Sequence, residues 1–121
     1  MDLYRQIILD HYKHPRNFGH LSHAVASANA YNATCGDKII MEIKVENKTI
    51  SDVRFSGIGC AISQASASML TEAVKGKSIK DVMTMKSADM MQMIGSPLTP
   101  SRVKCATLPL EVLQKAVVSL K

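Results

Sequence analysis

The chain of 121 residues has no run of eighteen apolar residues, no dense basic block and no pair of cysteines at C-x-x-C spacing. The first absence excludes an apolar helix that crosses a bilayer, and no membrane association is expected. The second leaves no case for nucleic acid, because Lys and Arg are scattered from Arg5 to Lys121 without interleaved aromatics; the net charge of +5 argues instead for an acidic protein partner. The third excludes a zinc knuckle. A count of three cysteines is odd, and in a reducing compartment it does not form a disulfide framework. The opening "MDLYRQIILDHYKHPRNFG" places charges in its first two turns and lacks a cleavage site, so it does not read as a signal peptide, and a cytoplasmic location is expected. No repeat, low-complexity segment or linker stands out. Residues 1–121 are expected to form one domain, long enough to bury a core of its own.

What is present organises the chain. Residues 2 to about 13 predict an amphipathic helix with Leu3, Ile7, Ile8 and His11 at helical spacing, ended by "HPRNFG". From Ala24 to Asn32 small residues alternate as in an edge strand. "KIIMEIKVENKTISDVRFSG" predicts a β-hairpin: Ile39, Met41, Ile43 and Val45 alternate with polar residues, Asn47-Lys48 turns, and Ile50, Val53 and Phe55 return. "GIGCAISQASASMLTEAVKGKS" runs from a glycine turn into a small-residue helix ending near Gly76. Two short helices follow, with Ser78 and Ser87 as expected N-caps and Asp81 and Met90 at the third position. The methionines at 83, 85, 90, 91 and 93 read as core filler or a partner surface. "SPLTPSR" reads as a loop, and residues 102 to 120 predict a last helix with Val103, Leu110, Leu113, Val117 and Leu120 on its apolar side. The order implies an α+β fold, helices packed on one face of a small antiparallel sheet.

The three cysteines share a placement at element ends: Cys35 before a strand, Cys60 at a strand-to-helix turn, Cys105 at or just before a helix start. A helix N-terminus favours thiolate over thiol, and glycines at 36, 57 and 59 would let backbone approach a bulky ligand. Each cysteine alone reads equally as a small core hydrophobe, and Asp37 alone as a turn residue. If Cys35, Cys60, Cys105 and Asp37 converge, three thiolates and one carboxylate make a four-coordinate site for Zn²⁺ or an iron–sulfur cluster. A carboxylate is the harder, weaker partner for iron in a sulfide cluster, so such a site would be labile and suited to delivery.

Four stretches, "YRQIILDHYKHPRNFG", "NATCGDKIIMEIKVE", "VRFSGIGCAISQASASMLTEAVKGKS" and "RVKCATLPLEVLQKA", together cover nearly the whole chain and resemble the U-type iron–sulfur cluster scaffold family: IscU, SufU and the N-terminal domain of NifU. The resemblance implies that family's fold, a small antiparallel three-stranded sheet with helices mainly on one face. It implies Cys35, Asp37, Cys60 and Cys105 as ligands of a transient [2Fe–2S] cluster or of Zn²⁺. It also implies a cysteine desulfurase as sulfur donor, Cys35 as sulfur acceptor, and recipient proteins for the finished cluster.

The chain departs from the family in three places. IscU has a histidine directly before its third cysteine, where this chain has Lys104; SufU shares the lysine. SufU has an insertion of about twenty residues before its third cysteine, for which "MKSADMMQMIGSPLTPSRVKC" leaves no room. The Leu-Pro-Pro-Val-Lys chaperone-binding motif of IscU is Leu-Thr-Pro-Ser-Arg at residues 98 to 102. The leading expectation is a scaffold protein rather than an enzyme. The alternatives are a zinc-bound, SufU-like sulfur acceptor and, more remotely, a structural zinc module. A cysteine hydrolase is set aside because no histidine stands in a pairing context, and His11, His14, His20 and His23 are not assigned as ligands.

Overall fold

The computed structural model describes residues 3–33, 36–95 and 98–120. Within them the order is α1 (Leu3–Lys13), β1 (Ala26–Asn32), β2 (Asp37–Glu46), β3 (Thr49–Ile58), α2 (Ala61–Val74), α3 (Ile79–Thr84), α4 (Ser87–Ile94) and α5 (Pro100–Val118). The strands form one antiparallel sheet in the order β1-β2-β3, with α2 and α5 packed against it and α1 and α4 laid on those helices, an α+β fold as expected.

Alternation on the hairpin decides which face the helices cover. Ile39, Met41 and Ile43 of β2 and Ile50, Val53 and Phe55 of β3 are fully buried, packed with Leu70 and Val74 of α2 and Leu110, Leu113 and Val117 of α5. Each such side chain contributes on the order of 1.5–3 kcal/mol by leaving water. Asn47 and Lys48 both take positive φ, 52° and 61°, the mirror-image turn whose twist matches that of the strands. Ile50 and Val53 are three residues apart yet face the same core. Pairing of Lys44 with Asp52 and of Val45 with Ile50 leaves Ser51 unopposed, and this bulge restores the alternation.

Helix α1 corrects the sequence expectation. Its buried residues are Ile8 and His11, whereas Leu3 is 65% and Ile7 38% exposed. The cause is that α1 lies on α2, which covers only a narrow stripe of it: Ile8 packs with Ala65 and Met69, and His11 Nδ1 lies 2.7 Å from the Ser68 hydroxyl. The chain after α1 stays on α2, where the Arg16 N–H donates to Ser68 Oγ (2.9 Å) and Asn17 Nδ2 donates to Thr71 Oγ1 (3.1 Å). It then pairs with β3 through the Gly19 N–H to Phe55 O (2.8 Å) and the Phe55 N–H to Asn17 O (2.9 Å).

Ser78 caps α3 as expected, accepting the Asp81 N–H. At α4 the N-cap is Lys86, not Ser87: the Asp89 carboxylate accepts the Lys86 N–H at 2.8 Å and so begins the helix one residue earlier. Met90 is fully buried, Met85 and Met93 pack against the core, and Met83 is exposed, so the cluster is mostly core filler. Helix α5 begins at Pro100, two residues before the expected start, and it contains Pro109, which has no N–H to give the carbonyl of Cys105 four residues back. Among the described residues no helix is long and apolar enough to cross a membrane.

Candidate metal centre

Asp37 is the first residue of β2 and lies on its core-facing side, in line with Ile39, Met41 and Ile43. It is 0% exposed. A carboxylate thus stands where the strand otherwise places hydrocarbon. Gly36, at φ 73° with its N–H on Asn32 O (2.8 Å), makes the turn that delivers the chain from β1. Cys35, expected as sulfur acceptor and as a ligand, lies with Thr34 outside the described residues.

Strand register brings the second residue in. Lys38 pairs with Ile58, so Asp37 falls opposite the end of β3 and the step into α2. Cys60 is the N-cap of α2, with extended backbone and no capping hydrogen bond from its side chain. Its N–H donates to Asp37 Oδ1 at 2.8 Å, while its Sγ lies 3.9 Å from Asp37 Oδ2. One carboxylate oxygen is therefore held by the positive end of α2 and the other is turned toward the thiol. Ser63, in the first turn, donates its hydroxyl to the Cys60 carbonyl (3.1 Å).

Cys105 is buried, but in the second turn of α5 rather than at its start, so a helix N-terminus does not act on its thiol as the sequence reading expected. Thr99 and Pro100 are the N-cap and first helical residue, a signal present in "LTPSR" but read there as loop. The Cys105 thiol lies 3.7 Å from Ser101 O. One residue on, the Ala106 carbonyl accepts the Ser66 hydroxyl, which ties α5 to α2 beside the two cysteines.

One ligand atom from each of Asp37, Cys60 and Cys105 lies within 4.8 Å of the others. Donors around a tetrahedral zinc ion, at bond lengths of 2.0–2.3 Å, stand roughly 3.3–3.8 Å apart. The trio is close to that separation, and Asp37 Oδ2 and Cys60 Sγ are nearly at it. The burial of Asp37 fits a cation as well: among the described residues its carboxylate receives one N–H and one long thiol contact, few donors for a fully buried acid. Lys104 is exposed and makes no ion pair with Asp37; it lines a cleft of about 340 Å³ with Tyr31, Thr107 and Glu111. No histidine belongs to the group.

Two of the glycines make room for protein atoms beside the site. Gly57, at φ 128°, leaves room for the backbone carbonyl of Lys38, and Gly59 leaves room for Asp37 and Ser63. Ser63 carried no signal in the sequence beyond its place in the first turn of α2.

The model of the NifU-like N-terminal domain matches residues 3–121. The zinc-dependent sulfurtransferase SufU of Bacillus subtilis is 42% identical over 132 positions, covering 95% of this chain and 89% of that protein. That alignment is longer than the chain, so SufU carries residues that are lacking here. The iron–sulfur cluster assembly scaffold protein IscU of Aquifex aeolicus is 40% identical over 116 positions, covering 94% of this chain and 73% of that one. Among solved structures, FiSufU of Fervidobacterium islandicum superposes with a TM-score of 0.79 at 29% identity, covering 93% of this chain and 94% of the other.

Proposed function

The chain belongs to the family of NifU-like N-terminal domains, and from that premise we propose that it is a scaffold that assembles a transient [2Fe–2S] cluster and passes it to recipient proteins. The observation that carries this reading is the donor set: a carboxylate and two thiols from three separate elements, with ligand atoms within 4.8 Å. Cys35, two residues before Asp37, supplies the third thiolate of the set.

Sulfur arrives from a cysteine desulfurase as a persulfide. The Cys35 thiolate attacks the outer sulfur, a new S–S bond forms at Cys35, and the desulfurase cysteine leaves as thiolate. Two electrons per sulfur from a reduced electron-transfer partner then cleave that S–S bond, returning the Cys35 thiolate and giving the sulfide that joins iron in the cluster. Asp37 offers Oδ2 to the cargo, because Oδ1 is engaged by the Cys60 N–H. A carboxylate is the weakest of the four ligands for iron and is the natural point of release. Asp37→Ala is therefore expected to lengthen the lifetime of an assembled cluster, followed by its visible absorption; a cluster that decays faster than in the unsubstituted protein refutes that role.

A zinc-bound sulfur acceptor is the second reading, favoured by Lys104 in place of a histidine and by the 42% identity to SufU. In that case zinc supplies a Lewis-acidic centre whose thiolate ligands can exchange, and Cys35 takes the sulfur. Anaerobic reconstitution with iron and sulfide separates the two. A visible cluster chromophore supports the scaffold; no chromophore, with tight zinc and strong stimulation of a desulfurase, overturns it.

A further inference from the structure

Gly59 stands beside Asp37 in the link from β3 to α2, and its role rests on the reading of Asp37 as a ligand. We infer that Gly59 is a positioning residue for the Asp37 carboxylate, and that its missing side chain is what lets the site include an oxygen ligand.

Gly59 is not required by its backbone. The glycines at positive φ are 19, 36, 57, 76 and 95, so an L-residue at 59 meets no left-handed strain. It is required by space. A Cβ built at 59 lies 2.6 Å from Asp37 Oδ1, 3.1 Å from Asp37 Cγ and 2.5 Å from Ser63 Oγ, well inside van der Waals contact. Oδ1 is the atom that accepts the Cys60 N–H, and this bond aims Oδ2 toward the Cys60 thiol. A methyl group at 59 occupies the place from which Oδ1 makes that bond. The carboxylate, buried on every side, cannot keep both the bond and its aim. A methyl group thus disables Asp37 without changing any ligand. Loss of an orienting partner of this kind costs metal sites about 10–100-fold in affinity.

The test compares the unsubstituted protein with Gly59→Ala, Asp37→Ala and the double variant. Zinc affinity is measured by chelator competition, and the Cys60 amide proton is followed by NMR in the metal-free protein. Gly59→Ala is expected to weaken zinc about 10–100-fold, to move the Cys60 amide signal upfield as its hydrogen bond lengthens, and to add nothing further in the Asp37→Ala background. Multiplying effects in the double variant, or an unmoved amide signal, overturns the inference. Ser63→Ala removes the other crowded atom: if Ser63→Ala with Gly59→Ala binds zinc like the unsubstituted protein, the crowding acts through Ser63 and the inference falls. Should Gly59→Ala alone not fold, the added Asp37→Ala must restore folding by removing the clash, and failure to do so refutes it. If the unsubstituted protein binds no zinc, it is the ligand reading that fails, while the amide signal still tests Gly59.

Discussion

Replacing Asp37 by asparagine separates the charge of the carboxylate from its hydrogen bond. The side chain is fully buried, accepts the Cys60 N–H at 2.8 Å through Oδ1, and has the Cys60 thiol 3.9 Å from Oδ2. Asparagine has nearly the same volume and keeps an oxygen for that N–H, so the main difference is the charge, with an NH2 in place of the oxygen that faces the Cys60 thiol. Removing a buried charge with so few donors is expected to stabilise the metal-free protein by about 1–3 kcal/mol. At about 4 °C per kcal/mol for a domain of this size, the midpoint rises by roughly 4–12 °C. Asp37→Ala must fall below Asp37→Asn by about 1–3 kcal/mol, because it leaves the Cys60 N–H without its acceptor. Saturating zinc reverses the order, since binding at 1,000 times Kd adds about 4 kcal/mol to the unsubstituted protein and less to a variant short of one ligand. Calorimetry at pH 7 with thiol reductant, once with chelator and once with zinc, reads both arms. Metal-free Asp37→Asn melting below the unsubstituted protein refutes the reasoning, because burial of the carboxylate would then cost nothing for a cation to offset.

Three further outcomes are expected. Chelator-treated protein should still melt in one cooperative transition, because the core of Ile39, Met41, Phe55, Leu70 and Leu113 is built without the site; loss of the far-ultraviolet helix signal on chelation would instead establish a structural zinc module. Burial first, and the Arg16 guanidinium next, hold His11 below the ordinary imidazole range, against the opposing pull of Glu72 and Asp10. The unfolded chain then takes up the proton first, so stability present above the unfolded value near 6.5 is lost as pH falls toward the folded one; urea midpoints between pH 7.5 and 5 should fall, and His11→Gln should flatten that slope. Lys48→Gly relieves a side chain held at φ 61° in the hairpin turn and should raise the urea midpoint by the equivalent of about 1 kcal/mol; a lower midpoint would contradict the turn assignment.

The hairpin was legible because one face is buried and the period is two, so Ile39, Met41 and Ile43 declared their side. The bulge at Ser51 was not, since only the pairing with Lys44 and Val45 shows which residue is extra. On α1 the pattern named a stripe through Leu3 and Ile7, but a helix resting mainly on α2, with the end of α4 beside it, buries less than its apolar residues could cover, and the sequence does not say which neighbours it meets. At the site, four candidate ligands were named from residue types and resemblance, whereas the closeness of Asp37, Cys60 and Cys105 depends on the opposition of β2 and β3 and on the contact of α2 with α5. The position of Cys105 within α5 was misjudged because Thr99-Pro100 serves equally as loop or helix start. The role of Gly59 could not be read at all, because its neighbours Asp37 and Ser63 meet only in the folded chain.

Pro109 gives α5 a mechanical property one turn beyond Cys105. The rung that would run from residue 109 to the Cys105 carbonyl does not exist in this helix, while Leu110, Leu113 and Val117 anchor the segment beyond it in the core. In the proposed role, a thiol that takes up a cargo and later lets it go sits one turn before a built-in gap in its own helix. Small shifts of that turn, as the centre fills and empties, break no hydrogen bond between residues 105 and 109.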